Sequence, residues 1–236
     1  MKRFYKQALA LAEGSGWQVK LDGRGVKTVG GRPQVLPSRA LAEVLAAEWA
    51  AQEETIVPAS FVLRDLADYA LDVVAPDPAA AVTGLLRYAE TDTLCYRADP
   101  GEALHARQLE RWEPLLQAAE ARHGVTFERV SGIIHRPQPN ATLAHLRDLL
   151  NGLDPFALAA LNTLASLAAS LVIGLAALEA DADAGALWIA AELEEEWQAE
   201  LWGRDAEAED RRTRRAAAFA NATRFAVLAR YDSRND

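Results

Sequence analysis

The sequence predicts an α+β protein, mostly α, in which a small β-rich N-terminal domain is followed by a larger helical bundle domain. Three observations carry this expectation. Apolar and polar residues alternate only near the N-terminus, where Trp17, Val19 and Leu21 are interleaved with Gln18 and Lys20. From Ser38 onward the apolar spacing becomes helical. Asp-Pro then occurs three times, at Asp77-Pro78, Asp99-Pro100 and Asp154-Pro155, each an N-cap residue followed by proline at the first helical position. The expected division is residues 1–58, a β-rich domain with the first helix, and residues 59–236, the helical domain.

Each element follows from local chemistry. Residues 1–37 read as extended. Asp22-Gly23 is a hairpin turn signal, Val26 to Val29 the expected return strand, Gly30-Gly31 a second turn and Val35-Leu36 the start of a third strand. A hairpin alone is marginal and must pack on something. Ser38 caps a helix whose Leu41, Val44, Leu45 and Trp49 share one face. After Pro58, Leu63, Leu66, Ala67, Ala70, Leu71 and Val74 form a second stripe. Asp77-Pro78 opens a helix bearing Val82, Leu85, Leu86 and Ala89, and Asp99-Pro100 one bearing Leu104, Trp112, Leu115 and Ala119 that stops at His123-Gly124. A short strand is expected within Val125–Ile134, and a proline-containing loop over 136–140. A helix with Leu143, Leu146 and Leu150 ends at Asn151-Gly152, and Asp154-Pro155 opens a long apolar one. After a break at Ala180–Gly185, one helix is expected over Ala186–Trp202, and a last one, capped by Asp205, to about Tyr231.

Composition narrows the function classes. Half of the 236 residues are hydrophobic, enough for a buried core. The net charge of -9 does not suit general binding to nucleic acid or anionic lipid. The one cysteine, Cys95, allows neither an intrachain disulfide nor a zinc cluster, and fits a reducing compartment. The basic start is followed by an apolar stretch, Ala8 to Ala12, that is too short for a signal-peptide core, so a bacterial chain or a mature organellar form is expected. Phe156 to Leu178 carries no charge and is long enough to cross a bilayer. It is rich in Ala, Ser, Thr and Asn and lacks flanking Lys or Arg, so a buried central helix is expected, without membrane insertion.

Four features bear on chemistry. On a continuous helix, Leu187, Ala191, Glu194, Gln198 and Trp202 share a mostly apolar face, which would partly bury Glu194 and Gln198. A buried carboxylate needs a partner, so Glu194 is read as structural or recognition-bearing, and Glu192, Glu195 and Glu200 as a solvated face. In the run Arg87–Arg97, the charges of Arg87, Glu90, Asp92 and Arg97 suggest a partly buried ion-pair network, and Cys95 a packed thiol. In Arg211–Arg215, Glu207 precedes Arg211 and Asp210 precedes Arg214 by helical ion-pair spacing, which favours a salt-bridged helix face over a nucleic-acid site. His105, His123, His135 and His145 form no metal-binding pair, no phosphate loop is present, and Gly14-Ser15-Gly16 reads as a turn, so no familiar enzyme class has its motif.

The ordered set Arg3-Phe4-Tyr5-Lys6, Leu21-Asp22-Gly23-Arg24 with Val26-Lys27-Thr28, Leu36-Pro37-Ser38, and Glu48-Trp49 with Gln52 is continued by Glu90–Arg97, Gln108 with Trp112 and Pro114, and Leu193-Glu194-Glu195-Glu196 with Gln198, Trp202 and Gly203. This set resembles the ATP synthase mitochondrial assembly factor 2 family, which includes bacterial members. The resemblance covers nearly the whole chain, least well from Val125 to Leu150; Val29 stands where the family usually has proline. It implies a chaperone that binds the free alpha subunit of F-type ATP synthase and shields its apolar contact surface until a beta subunit takes that place. It points to the acidic helix, placed on Glu194 or Glu196, and to Trp49 as structural, and it implies no cofactor, metal or catalysis; Glu194, Glu196, Gln198 and Trp202 are thus expected to bind the partner, and Trp49, Asp92, Arg97 and Trp112 to be structural. A monomer in the bacterial cytoplasm is expected, with eukaryotic relatives in the mitochondrial matrix. Two readings compete with it: a helical enzyme using Asp92 or Glu194 as acid or base, and a membrane-associated protein using Phe156 to Leu178.

Overall fold

The computed structural model describes residues 1–132 and 135–230, so Ile134 and the expected helix end at Tyr231 lie outside the described residues. The chain is α+β and mostly α, as the sequence predicts, with ten α-helices and six short strands among the described residues. Contacts divide it into two compact units. Among the described residues the first comprises 1–78, 154–160 and 224–230, and the second 79–132, 135–153 and 161–223.

In the first unit β1 (Ala8–Glu13) and β2 (Gly16–Leu21) form an antiparallel hairpin in which Ala8 faces Leu21 and Glu13 faces Gly16. Gly14-Ser15-Gly16 is therefore a turn, as expected, but a turn that follows a strand. Gly16 is required by close approach, because a Cβ there would sit 2.6 Å from the Leu36 carbonyl oxygen. β3 (Arg24–Gly25) and β4 (Val35–Leu36) both pair with β2. The return strand thus begins before Val26 and is short, because Thr28 to Arg32 closes into a turn of its own. In β2, Val19 and Leu21 are buried but Trp17 is only half-buried, lying under the Arg39 guanidinium, while Gln18 is buried with its amide donating to the Val26 carbonyl. The hydrogen bond lets a polar side chain take an interior position that alternation assigns to solvent.

α1 (Arg39–Ala50) packs across β1 and β2, with Ser38 accepting from the Leu41 N–H as the expected cap. Its last turn presents Trp49 to Tyr5 and Phe61, and Tyr5 Oη donates to the Trp49 carbonyl at 2.7 Å. α2 (Val62–Tyr69) runs into one π-turn, Ala70–Val74, which keeps Ala67, Ala70 and Val74 inside. The returning stretches pack on each other through Phe156 stacked on Phe225, and the Ser38 hydroxyl joins them to the start of α1 by donating to the Leu228 carbonyl.

The second unit is built on α3 (Pro78–Glu90), α4 (Ala103–His123), α5 (Asn140–Asn151) and the greater parts of α6 (Pro155–Ala168) and α10 (Ala206–Ala229), with α7 (Leu171–Ala177), α8 (Ala184–Ala191) and α9 (Leu193–Trp202) complete within it. β5 (Tyr96–Arg97) pairs in parallel with β6 (Val130–Ser131). Three expectations are corrected. Asp99-Pro100 makes a turn rather than a helix start, and α4 opens at Ala103. The charge-free segment is two helices, because Ala169 turns into a left-handed conformation (φ 48°) and Ser170 caps α7 through the Ile173 N–H. No described helix is long and apolar enough to cross a membrane. The helix expected over Ala186–Trp202 is likewise broken at Glu192.

Two side chains hold the α6–α7 corner. Asp92 is fully buried and accepts from the Leu94 and Val172 N–H groups at 3.1 and 3.0 Å. Thr93 donates its N–H and hydroxyl to the Ala169 carbonyl. At the same corner Gly174 lies against Leu161 and Ala165, and a Cβ would approach the Ala165 nitrogen to 3.2 Å and Leu161 Cδ1 to 2.9 Å. Gly174→Ala should therefore lose about 1 kcal/mol, as overpacking outweighs the gain in helix propensity. Urea denaturation of the two proteins measures it.

Candidate functional site

The acidic helix α9 is set in place by buried side chains beneath it. On α4, Gln108 and Trp112 are one turn apart and therefore share a face. The Trp112 indole N–H donates to the Ala190 carbonyl at 2.7 Å and fixes the last turn of α8. Gln108, fully buried, accepts from the Ala98 N–H at 2.8 Å and donates from Nε2 to a Glu194 carboxylate oxygen at 2.7 Å. Glu194 is half-buried there, and burial holds its carboxyl above the usual carboxylate range, against the opposing effect of the Gln108 hydrogen bond.

The other side of α9 meets α10. Glu192, read from sequence as solvated, is buried and forms ion pairs with Arg212 at 3.1 Å and Arg215 at 3.2 Å. The break in the helix falls at this residue, at φ -89° and ψ 8°, and its carboxylate is held against α10. Glu196 pairs with Arg212 at 2.6 Å and also with Arg204. Arg215 further pairs with Glu195 and donates to the Leu167 carbonyl. The basic run is thus salt-bridged, through Arg212 and Arg215 to Glu192, Glu195 and Glu196 and, along its own helix, through Arg212 to Glu209 at 3.1 Å. Arg211 and Arg214 stand exposed.

The shared face expected of Leu187, Ala191, Glu194, Gln198 and Trp202 does not survive the break. Glu194 turns toward Gln108, while Gln198 and Trp202 are exposed, Trp202 by 79%. Gln198 and Trp202 line a shallow groove of about 700 Å³ together with Arg204 and Arg212. Glu196 lines a smaller depression of about 200 Å³ with Arg107, Ile189 and Leu193. Ile189 and Leu201, both exposed, extend the apolar surface. The sequence reading missed these two and the support given by Gln108. The i, i+4 spacing of Gln108 and Trp112 was a usable signal, whereas α8 is apolar all round and offers no stripe to show which residue faces out.

The remaining singled-out residues sit elsewhere. Trp49 belongs to the core of the first unit. The network expected among Arg87, Glu90, Asp92 and Arg97 does not form. Arg87 and Glu90 are exposed, Asp92 holds backbone N–H groups, and Arg97 pairs with Glu113 at 3.1 Å, which also binds Arg129 at 2.8 Å. The reason is that a buried carboxylate is satisfied by the nearest unpaired donors, here at the start of α7. Cys95 is buried, and burial pushes its thiol up, away from the reactive thiolate. Asp92 and Glu194 bond to different partners and do not form a carboxylate pair. Among the described residues no group of three or more His, Cys, Asp or Glu could hold a metal ion.

Comparison with known proteins yields consistent matches. The family model described as ATP12 chaperone protein matches residues 2–120. Protein atp12, mitochondrial, of Schizosaccharomyces pombe is 26% identical over 214 residues, covering 86% of this chain and 74% of that protein. The crystal structure of Atp12 from Paracoccus denitrificans superimposes with a TM-score of 0.92 at 40% identity, covering 97% of this chain and 98% of that one. The Atu1473 protein of Agrobacterium tumefaciens gives a TM-score of 0.88 at 39% identity, covering 96% and 85%.

Proposed function

The chain belongs to the ATP12 chaperone family, and from that premise we propose that it is an assembly chaperone that binds the free alpha subunit of F-type ATP synthase and shields its apolar interface until the beta subunit replaces it. The observation that carries this reading is the exposed indole of Trp202 on a helix whose base is fixed by Gln108, Trp112 and four ion pairs to α10. A rigid element bearing an exposed aromatic anchor, with apolar neighbours Leu201 and Ile189 and a polar rim, has the composition of a reversible binding surface. Glu194 supplies a carboxylate already partly stripped of water, so that a donor from the partner meets it at small further desolvation cost. Glu196 is neutralised by Arg204 and Arg212 and shapes the surface. The protein acts as a monomer in the cytoplasm, by binding alone and without catalysis or cofactor.

A free alpha subunit lacking its neighbour exposes an apolar patch and aggregates. Light scattering of isolated alpha subunit diluted from denaturant tests the proposal. An equimolar amount of this chain should suppress the scattering and co-elute with alpha on size exclusion. Scattering unchanged at tenfold excess, with no complex, would overturn the reading.

A further inference from the structure

The first unit carries a second surface that α9 does not account for. A half-open groove of about 610 Å³ is lined by residues that include Phe4, Arg24, Lys27, Val29, Trp49 and Arg64. Phe4 is 65% and Val29 84% exposed, so large apolar side chains continue the groove onto the surface. The other residues are unusual for a chain of net charge -9. Arg24, Lys27 and Arg64 bring positive charge, and the one carboxylate in the lining, Asp22, is already engaged by the Lys6 and Gln7 N–H groups at 3.0 and 2.9 Å. Arg64 spends part of its charge on Asp65 at 2.7 Å, whereas Arg24 and Lys27 are exposed.

A second, independent observation concerns buried donors. Trp49, 7% exposed, has an indole N–H without an acceptor, and Arg64 has an Nε–H in the same condition. Both side chains line this groove. Unpaired buried donors cost about 1–3 kcal/mol each, and native structures rarely leave them so. Acceptors brought by a ligand would relieve that cost.

We propose that this groove binds an extended segment of the alpha subunit in which a carboxylate is flanked by bulky apolar side chains, an inference that rests on the chaperone reading above. The chemistry selects such a segment. Its carboxylate meets Arg24 and Lys27, its main-chain carbonyls offer acceptors to Trp49 and Arg64, and its apolar side chains cover Phe4 and Val29. A small anion would satisfy the charges and leave the two apolar side chains in water.

The test uses an array of overlapping 15-residue peptides tiling the alpha subunit, probed with the full chain. A subset combining Asp or Glu with bulky apolar residues should bind. Binding should fall at least tenfold with the double substitution R24E and K27E, and with Val29→Asp. All three groove positions are exposed, and circular dichroism checks that the fold is kept. A blank array, binding indifferent to the groove substitutions, or selection of basic peptides would overturn the proposal. Self-association abolished by Val29→Asp would make a second copy the occupant and overturn it too. If intact alpha subunit is still captured while the array is blank, the groove inference falls and the α9 reading stands; if alpha is not captured at all, both fall.

Discussion

Asp92→Ala should lower the unfolding free energy by about 3 kcal/mol, since it strands the Leu94 and Val172 N–H groups in a fully buried setting and leaves a small void. Thermal melting would register this as a drop of roughly 6–12 °C. The residue also has a pH signature. Burial raises its carboxyl to about 6, above the ordinary 3.8, although hydrogen bonds from Val172, Ser170, Leu94 and Leu171 pull the other way. A carboxyl whose folded pKa lies above its unfolded value favours the fold fully below the unfolded pKa, and that contribution is lost as pH rises through the folded one. The parent protein should therefore lose stability relative to Asp92→Asn between pH 4 and about 6.5. A constant difference across that window, measured by urea denaturation, would contradict the assignment of charge at this corner.

Trp202→Ala should weaken capture of the alpha subunit by at least about thirtyfold, corresponding to roughly 2 kcal/mol for an aromatic anchor, while shifting stability by less than about 0.5 kcal/mol. The dissociation of effects follows from exposure, because the indole is 79% exposed and its removal opens no cavity. Glu194→Gln should weaken capture about tenfold. The amide oxygen still accepts from Gln108, so the fold is kept and only charge is lost. Glu196→Ala should have the smaller effect on capture, because Arg204 and Arg212 already neutralise that carboxylate.

The fold was legible wherever a local rule had one outcome. Ser38 before an apolar stripe, Gly124 after one and Asp205 before the last helix all act as the sequence suggests, through an N-cap, a left-handed stop and an N-cap. The breaks at Ala169 and Glu192 were not legible by period. Ser170 before Leu171-Val172-Ile173 was a cap signal hidden inside an apolar run, and its meaning depends on Asp92 and Thr93, far away in sequence. The break at Glu192 coincides with its ion pairs to Arg212 and Arg215, and no spacing within Ala186–Trp202 encodes those partners. The return of 154–160 and 224–230 to the first unit depends on long-range contacts such as Phe156 on Phe225 and Ser38 with Leu228.

The same limit applies to the candidate site. Glu194 emerged as the partly buried carboxylate of its helix, for a reason that did not hold, since its cover comes from Gln108 rather than from a shared apolar face with Trp202. The acidic run could be located, but which carboxylates meet arginines and which meet Gln108 is decided by α4 and α10.

The most direct test is a pull-down with purified alpha and beta subunits presented separately to the parent chain and to Trp202→Ala, Glu194→Gln and Glu196→Ala. The account predicts selective capture of alpha, with loss ordered Trp202, then Glu194, then Glu196, and all four proteins equally folded. Capture of neither subunit, equal capture of both, or capture of alpha indifferent to Trp202→Ala and Glu194→Gln would contradict it.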